Sequence, residues 1–185
     1  MIRGSVIILC IVVLLSTLGA AKVHANPDVW IKAATIFSFE DDNVISIGFD
    51  WQFDKYFSSR TISIYDTDQT GFLEPKEVQR LREEAFDPLK KFNYYVHVWI
   101  DGEKIRNLKI IDFESFIRDR NLIYRFTVSI MPPADPTSGE IIVSLFDKDI
   151  FVDFRFQEMN FLLVEGKISP DCKFVIARGR DAQYG

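Results

Sequence analysis

Alternation of apolar and polar residues dominates the chain after its first 25 residues, and this period of two predicts β-strands. The clearest case is segment 121–130, in which one face carries Leu122, Tyr124, Phe126, Val128 and Ile130. The same pattern predicts strands at 29–39, 44–49, 94–100, 141–146, 151–156 and 173–177. Several short strands separated by turn residues favour a mainly β fold of the α+β class, arranged as a β-sandwich-like domain.

One segment follows a helical period instead. Between Pro75 and Phe86, apolar residues fall at Val78, Leu81 and Ala85, which is one face of a helix. Pro75 suits the first turn, and Pro88 ends the helix at about residue 87. The preceding segment 54–65 has mixed signals, because its first half is spaced helically and 61–65 has strand propensity. We expect a short helix there that ends before residue 66.

The first 25 residues are typical of a secretory signal peptide rather than of the fold. Arg3 supplies a positive start, segment 6–15 is an unbroken apolar run, and Val23-His24-Ala25 forms a cleavage site. An uncleaved anchor is the alternative, but the run is shorter than the ~20 residues that span a bilayer comfortably. We expect a periplasmic protein with no membrane span after cleavage, whose residues 26–185 form a single β-rich domain.

Composition narrows the classes of function. The formal net charge of -5 argues against nucleic acid as a partner, since nucleic-acid binding favours a basic surface. Two histidines and two cysteines leave little material for a histidine-rich or cysteine-based metal site. The chain shows no Gly-x-Ser-x-Gly, His-Glu-x-x-His or oriented Cys–His arrangement, so we expect a non-enzymatic protein with no catalytic residues.

A twelve-residue acidic loop at 66–77, inserted directly before the predicted helix, matches the EF-hand calcium loop. Glycine stands at its sixth position, where the chain must bend sharply. The expected ligands are Asp66, Asp68, Thr70, the backbone carbonyl of Phe72, Glu74 through water, and Glu77 with both oxygens. An acidic turn that caps a helix without binding an ion is the alternative.

The spacing of these residues suits a hard cation, because Ca²⁺ takes six to eight oxygen ligands. Three carboxylates at the first, third and last positions of the loop would repel one another without a cation. Thr70 places a neutral hydroxyl where a carboxylate or amide is usual, so we expect an affinity of about 10⁻⁵ to 10⁻³ M. A single loop favours a structural clamp over a switch, since sensor EF-hands occur in pairs.

The mature chain resembles the exported DUF1007 proteins, which are described as the periplasmic component of an uncharacterised ABC-type transport system. The resemblance covers most of the mature chain and depends on the order of several short motifs. These are Val29-Trp30-Ile31, Phe49-Asp50-Trp51-Gln52-Phe53-Asp54, the loop 66–77, Ile100-Asp101-Gly102 and Phe151-Val152-Asp153-Phe154. The resemblance implies an accessory or binding role in metal-ion transport, of the nickel or cobalt type, with a membrane permease as partner.

The chain departs from the family at its expected mature start. Family members begin with His-Pro-His, whereas this chain has Asn26-Pro27-Asp28. Imidazoles select nickel, copper and zinc, so the departure puts transition-metal binding in doubt. Cleavage after Ala21 is an alternative that would expose Lys22-Val23-His24, a nitrogen set suited to Cu(II) or Ni(II). His97 lies in an alternating strand and is interpreted as structural.

Two functions therefore remain open at this level. The first is a periplasmic accessory or binding protein of a metal-ion transport system with one calcium site. The second is a calcium-stabilised structural or adhesion domain with no transport role.

Overall fold

The computed structural model describes residues 28–149 and 151–177 of the chain. Nine strands contain about twice as many of the described residues as the helical segments do, which confirms the prediction of a mainly β fold of the α+β class. The strands are β1 (Val29–Glu40), β2 (Asn43–Phe53), β3 (Val96–Ile100), β4 (Glu103–Lys104), β5 (Lys109–Arg118), β6 (Asn121–Ala134), β7 (Ile141–Leu145), β8 (Val152–Phe156) and β9 (Leu162–Glu165).

The larger sheet contains six strands in the order β5-β6-β2-β1-β8, with β9 also paired to β1. The strands from β5 to β1 are antiparallel, and both β8 and β9 run parallel to β1. They share one edge of β1, because β8 pairs with residues 29–33 and β9 with residues 35–38. The sheet is therefore closed on this side by the C-terminal part of the described chain.

The smaller sheet has the order β4-β3-β7 and shares one hydrophobic core with the larger sheet. Val96 and Val98 of β3 are fully buried in the same cluster as Trp51 and Phe126. The rings of Trp51 and Phe126 meet edge to face, with centroids 4.9 Å apart. Aromatic contacts of this kind add to the stabilisation that burial alone provides. A core common to two sheets is what the β-sandwich-like prediction requires.

The connection between β2 and β3 is helical throughout most of its length. It contains α1 (Lys55–Tyr65) and α2 (Pro75–Leu81), a π-helical turn at Arg82–Phe86, and a 3₁₀ segment at Asp87–Tyr95. The first helix ends at Tyr65, before residue 66 as expected, and segment 61–65 is helical in spite of its strand propensity. Thr61 and Tyr65 are buried on the same face as Ser58, so tertiary packing overrides the strand propensity of this segment.

The second helix begins at Pro75 as predicted, but it does not continue as one α-helix to residue 87. The wider π turn places Phe86 fully in the core, where its ring stacks on Phe113 with centroids 4.2 Å apart. Pro88 does not end the helical conformation either, because the 3₁₀ segment begins at Asp87 and runs through it.

One further strand prediction is wrong, and the sequence pattern does not predict β4, β5 or β9. Segment 173–177 forms no strand, and the side chain of Val175 is 90% exposed. The alternation in β5 was missed because this strand alternates charged residues with Phe113 and Ser115, and a bulge between Ile110 and Asp112 interrupts its pairing with β6. An inward serine and a bulge both weaken the period-two signal.

The expected signal peptide, its cleavage sites and Asn26-Pro27 lie outside the described residues. Among the residues that the structure describes, no helix is both long enough and apolar enough to cross a membrane.

Candidate metal centre

Asp54 fixes the start of α1, the helix that leads into the acidic loop. Its Oδ1 accepts hydrogen bonds from the backbone N–H groups of Tyr56 at 2.8 Å and Phe57 at 3.0 Å. These bonds satisfy amides that have no partner within the helix. Its Oδ2 accepts from the backbone N–H of Trp30 at 3.0 Å. One carboxylate therefore caps α1 and attaches it to β1.

Ser58 attaches α1 to the larger sheet. This side chain is fully buried, and its Oγ accepts a hydrogen bond of 2.9 Å from the backbone N–H of Leu122 in β6. The same hydroxyl lies 3.3 Å from the backbone oxygen of Phe53, to which it donates. Because α1 continues without interruption to the buried Tyr65, the position of Asp66 is set by the core of the protein.

The first half of the loop folds around the carboxylate of Asp66, which is itself buried. Its two oxygens accept hydrogen bonds from the backbone N–H groups of Thr70 and Gly71, both at 3.0 Å. Gly71 has a φ of +81°, a left-handed conformation that side chains rarely adopt. The predicted sharp bend at the sixth position of the loop is therefore present.

Three carboxylates converge in the loop. Asp66, Asp68 and Glu77 each offer one oxygen, and these three atoms all lie within 4.8 Å of one another. Asp66 is buried, Asp68 is exposed and Glu77 is half-buried. These are the first, third and twelfth positions of the loop, so the structure brings together the three expected charged ligands at those positions.

Glu77 reaches the cluster from the first turn of α2, which begins at Pro75. Its Oε1 accepts hydrogen bonds from the backbone N–H of Thr67 at 2.7 Å and from the Thr67 hydroxyl at 2.8 Å. Its Oε2 accepts from the backbone N–H of Glu74 at 3.2 Å. The side chain thus connects the two ends of the loop.

The protonation of Glu77 is linked to that of Glu74. The hydrogen bond with the Glu74 side chain, followed by those from Thr67, lowers the pKa of Glu77 to about 2. The same hydrogen bond with Glu77 raises the pKa of Glu74 above its usual value. The two carboxyl groups therefore titrate as a pair in which Glu77 is the more acidic member, and a metal ligand must be ionised.

The other three expected ligands lie beside the cluster and contact one another. The hydroxyl of Thr70 is 3.0 Å from Oε1 of Glu74 and 3.2 Å from the backbone oxygen of Phe72. Oε2 of Glu74 is buried and has no hydrogen-bond partner among the described residues. The ring of Phe72 has no oxygen atom, so only its backbone oxygen could serve as a ligand to a hard cation.

The donor set fits a hard cation. Every candidate ligand is an oxygen atom, and carboxylate and carbonyl oxygens are the groups that Ca²⁺ prefers. No imidazole or thiolate belongs to the cluster, so the chemistry of a transition-metal site is absent from this loop. An uncompensated oxygen on Glu74 and three converging carboxylates are both features that a cation would relieve.

Among the described residues, neither Asp28 nor His97 joins the loop. Asp28 is exposed at the start of β1. His97 lies buried in β3, and its ring stacks on that of Phe146 with centroids 4.0 Å apart.

Residues 11–183 match the model of the family described as "Protein of unknown function (DUF1007)". The chain belongs to the DUF1007 family. The match confirms the resemblance drawn from the order of the short motifs. No curated protein and no solved structure matches this DUF1007 chain.

Sequence reasoning missed a second group of polar residues in this DUF1007 protein. They line a cleft beside β3, and they come from three separate stretches of chain that each contribute basic residues. Among the lining cations only Lys90 and Lys91 are adjacent in the chain, and the net charge of the chain is acidic, so the sequence contains no clear signal of a basic site.

Proposed function

We propose that this DUF1007 protein is a non-enzymatic, exported accessory or binding protein of a metal-ion transport system of the nickel or cobalt type, with one EF-hand-like calcium site at residues 66–77. The calcium site carries the most direct support. Asp66, Asp68 and Glu77 offer oxygens within 4.8 Å of one another in a loop between two helices. Thr70, Phe72 and Glu74 complete the oxygen set that the loop spacing predicts.

The bound ion would serve as a clamp. Glu77 joins α2 to Thr67, and Asp66 follows directly from α1, which Ser58 fastens to β6. Neutralising the three carboxylates would therefore hold α2 in place against the body of the protein. Calcium at extracellular concentrations suits a site with one neutral hydroxyl ligand and an affinity of about 10⁻⁵ to 10⁻³ M.

The transport role is supported by family membership and by the expected signal peptide. A membrane permease is the proposed partner, and the periplasm is the proposed location. A calcium-stabilised structural or adhesion domain is the second candidate. The attachment of the loop to the core through α1 and Ser58 favours this candidate.

Calorimetry and thermal unfolding of the purified exported protein with Ca²⁺, Ni²⁺ and Zn²⁺ test the calcium site. We expect Ca²⁺ to bind once and to raise the melting temperature, and Glu77→Gln to abolish that rise. Glu83→Gln, which removes an exposed carboxylate from the following π turn, is the matched control and should respond as the wild type does. An unchanged Ca²⁺ response in the Glu77 variant would show that the loop is not the site.

Metal content of cells tests the transport role separately. Cells that lack this protein should accumulate less nickel or cobalt, and a plasmid copy should restore the content, while manganese content stays unchanged. Equal nickel and cobalt contents with and without the protein, together with intact calcium binding, would favour the structural or adhesion role.

A further inference from the structure

A cleft of about 580 Å³ opens beside β3, on a different part of the molecule from the acidic loop. Its walls come from the 3₁₀ segment, from the β3–β4 hairpin with the residues that follow it, and from the turn after β7. A volume of this size lies within the range of about 300–1,000 Å³ that small-molecule sites occupy.

The cleft is basic although the chain as a whole is acidic. Two aspartates and five cationic side chains line it, a formal balance of +3 on a chain of formal charge -5. The cations are Lys90, Lys91, Lys104, Arg106 and Lys148. Concentrating like charges in a concave site focuses the electrostatic potential and attracts ions of opposite sign.

No carboxylate neutralises these cations among the described residues. The ion pairs within the described residues, 28–149 and 151–177, involve lysines and arginines that do not line the cleft. Both oxygens of Asp147, which lines the cleft, accept hydrogen bonds within its own turn. Oδ1 accepts from the backbone N–H of Asp149 at 3.0 Å, and Oδ2 accepts from the backbone N–H groups of Phe151 at 3.0 Å and Val152 at 3.2 Å.

The cations also act on one another. Partial burial, followed by the charges of Lys148 and Arg106, lowers the pKa of Lys104. A group of cations held together against this repulsion lowers the stability of the ligand-free protein, and a bound anion would reverse that effect.

An aromatic wall accompanies the charges. Phe92 and Tyr95 stack with centroids 5.4 Å apart and an interplanar angle of 8°, and Phe92 remains 40% exposed. His97 is only 6% exposed, lines the cleft and stacks on Phe146. Its Nδ1 is buried and has no hydrogen-bond partner among the described residues.

We propose that this cleft binds a small organic polyanion, one that carries two or more carboxylate or phosphate groups on a planar or unsaturated frame. The cations supply the attraction, and the aromatic wall, which includes the stacked rings of His97 and Phe146, supplies a surface for the planar frame. The walls enclose a volume suited to a small molecule, and the rest of the acidic chain would repel an extended nucleic acid.

Calorimetry in metal-free buffer at low salt tests the proposal, with benzene-1,3,5-tricarboxylate as the planar probe, propane-1,2,3-tricarboxylate as its flexible counterpart of equal charge, and inorganic pyrophosphate as the phosphate probe. We expect one binding site with micromolar to millimolar affinity, tighter for the planar tricarboxylate than for the flexible one. Pyrophosphate binding as tightly as the planar probe would assign the selectivity to charge alone and overturn the role of the aromatic wall.

Variants locate the site. The double substitution Lys104→Gln with Lys148→Gln should weaken planar-probe binding at least tenfold and leave folding intact, because it removes two cations that repel each other. Lys55→Gln with Lys167→Gln removes two exposed cations that do not line the cleft and should change binding less than twofold. His97→Gln should weaken binding several-fold.

Equal losses in the two double variants, or no binding below 10 mM of any probe (a limit on the order of the weakest specific affinities), would overturn the proposal. Tighter binding of a single-stranded oligonucleotide than of the planar probe would assign the cleft to a macromolecule instead. Glu77→Gln should bind the planar probe as the wild type does, so failure of the calcium site and failure of this site are distinguishable.

Discussion

The carboxylate of Asp66 accepts a hydrogen bond of 3.0 Å from the backbone N–H of Gly71, five residues further along the acidic loop. The bond requires the left-handed conformation of Gly71, at φ +81°. It therefore joins the ligand at the first position to the glycine at the sixth, and it gives the loop its shape before any ion binds.

Replacing Gly71 with alanine should weaken calcium binding. A Cβ at this position meets no atom within 4 Å, so the cost comes from backbone strain of about 1–2 kcal/mol and not from a clash. We expect a melting temperature roughly 2–8 °C lower without calcium and a reduced calcium affinity in calorimetry. Gly102→Ala is the matched control, because Gly102 has φ +80° and equally open surroundings. It should lose similar stability and keep its calcium affinity; similar affinity losses in both variants would contradict the prediction.

Replacing Thr70 with aspartate should strengthen calcium binding by about tenfold, because the number of charged ligands tunes the affinity of such loops. The added charge would lie beside Glu74, whose Oε1 is 3.0 Å from the Thr70 hydroxyl. The ion-free protein should therefore melt at a lower temperature, and the rise caused by Ca²⁺ should be larger. Titration with Ca²⁺ and melting curves with and without the ion measure both effects. Thr67→Asp, at a position that is not an expected ligand, should not raise the affinity.

Replacing Ser58 with alanine should destabilise the fold by about 1–3 kcal/mol, because the backbone N–H of Leu122 would be left buried without an acceptor. Chemical denaturation measures the change. Ser63→Ala on the same helix is the control: Ser63 is exposed and its hydroxyl donates only to the backbone oxygen of Arg60. We expect a change within about 0.5 kcal/mol there. Equal stabilities of the two variants would show that the contact between α1 and β6 contributes nothing.

The stability of the protein should depend on His97 at mildly acidic pH. Burial, followed by the positive charges of Lys104 and Lys148, lowers the pKa of His97 to about 4. The unfolded chain therefore binds a proton between about pH 6.5 and pH 4 that the folded protein does not, so stability falls as the pH falls through this window.

Denaturation of the wild type and of His97→Gln at several pH values measures this effect. At pH 5 the wild type should have lost about 1–2 kcal/mol more than the variant relative to pH 8. Lys90, Lys91, Arg106, Asp147 and Asp149 also line the cleft, but they are present in both proteins and cancel in the comparison. Parallel pH profiles would show that His97 takes up its proton equally in the folded and unfolded states.

The sequence predicts those parts of the fold in which side-chain period and burial agree. In β6, the buried Phe126, Val128 and Ile130 alternate with more exposed residues, and the strand begins where the sequence pattern begins. In α1, by contrast, the residues Thr61 to Tyr65 have strand propensity and are helical, since Asp54 caps the helix and Ser58 holds it to β6. The bond between Ser58 and Leu122 joins residues 64 positions apart, and a local pattern contains no information about it.

The acidic loop and the basic cleft also differ in how far the sequence predicts them. The acidic loop is contiguous, so its spacing alone predicts that Asp66, Asp68 and Glu77 meet. The basic cleft is assembled from residues 90–107 and 146–149, which become neighbours only when β7 pairs with β3. Its cations are too far apart in the chain for charge patterning to reveal them.

The parallel pairing of β1 with β8 and β9 has a consequence for how the chain folds. Val29 pairs with Val152, and Ser38 with Glu165. The outer edge of β1 is therefore covered only after β8 and β9 have paired with it. Pairings between residues so far apart in the chain slow folding. A chain shortened to end before residue 152 would present the bare backbone of β1 to other molecules and should self-associate.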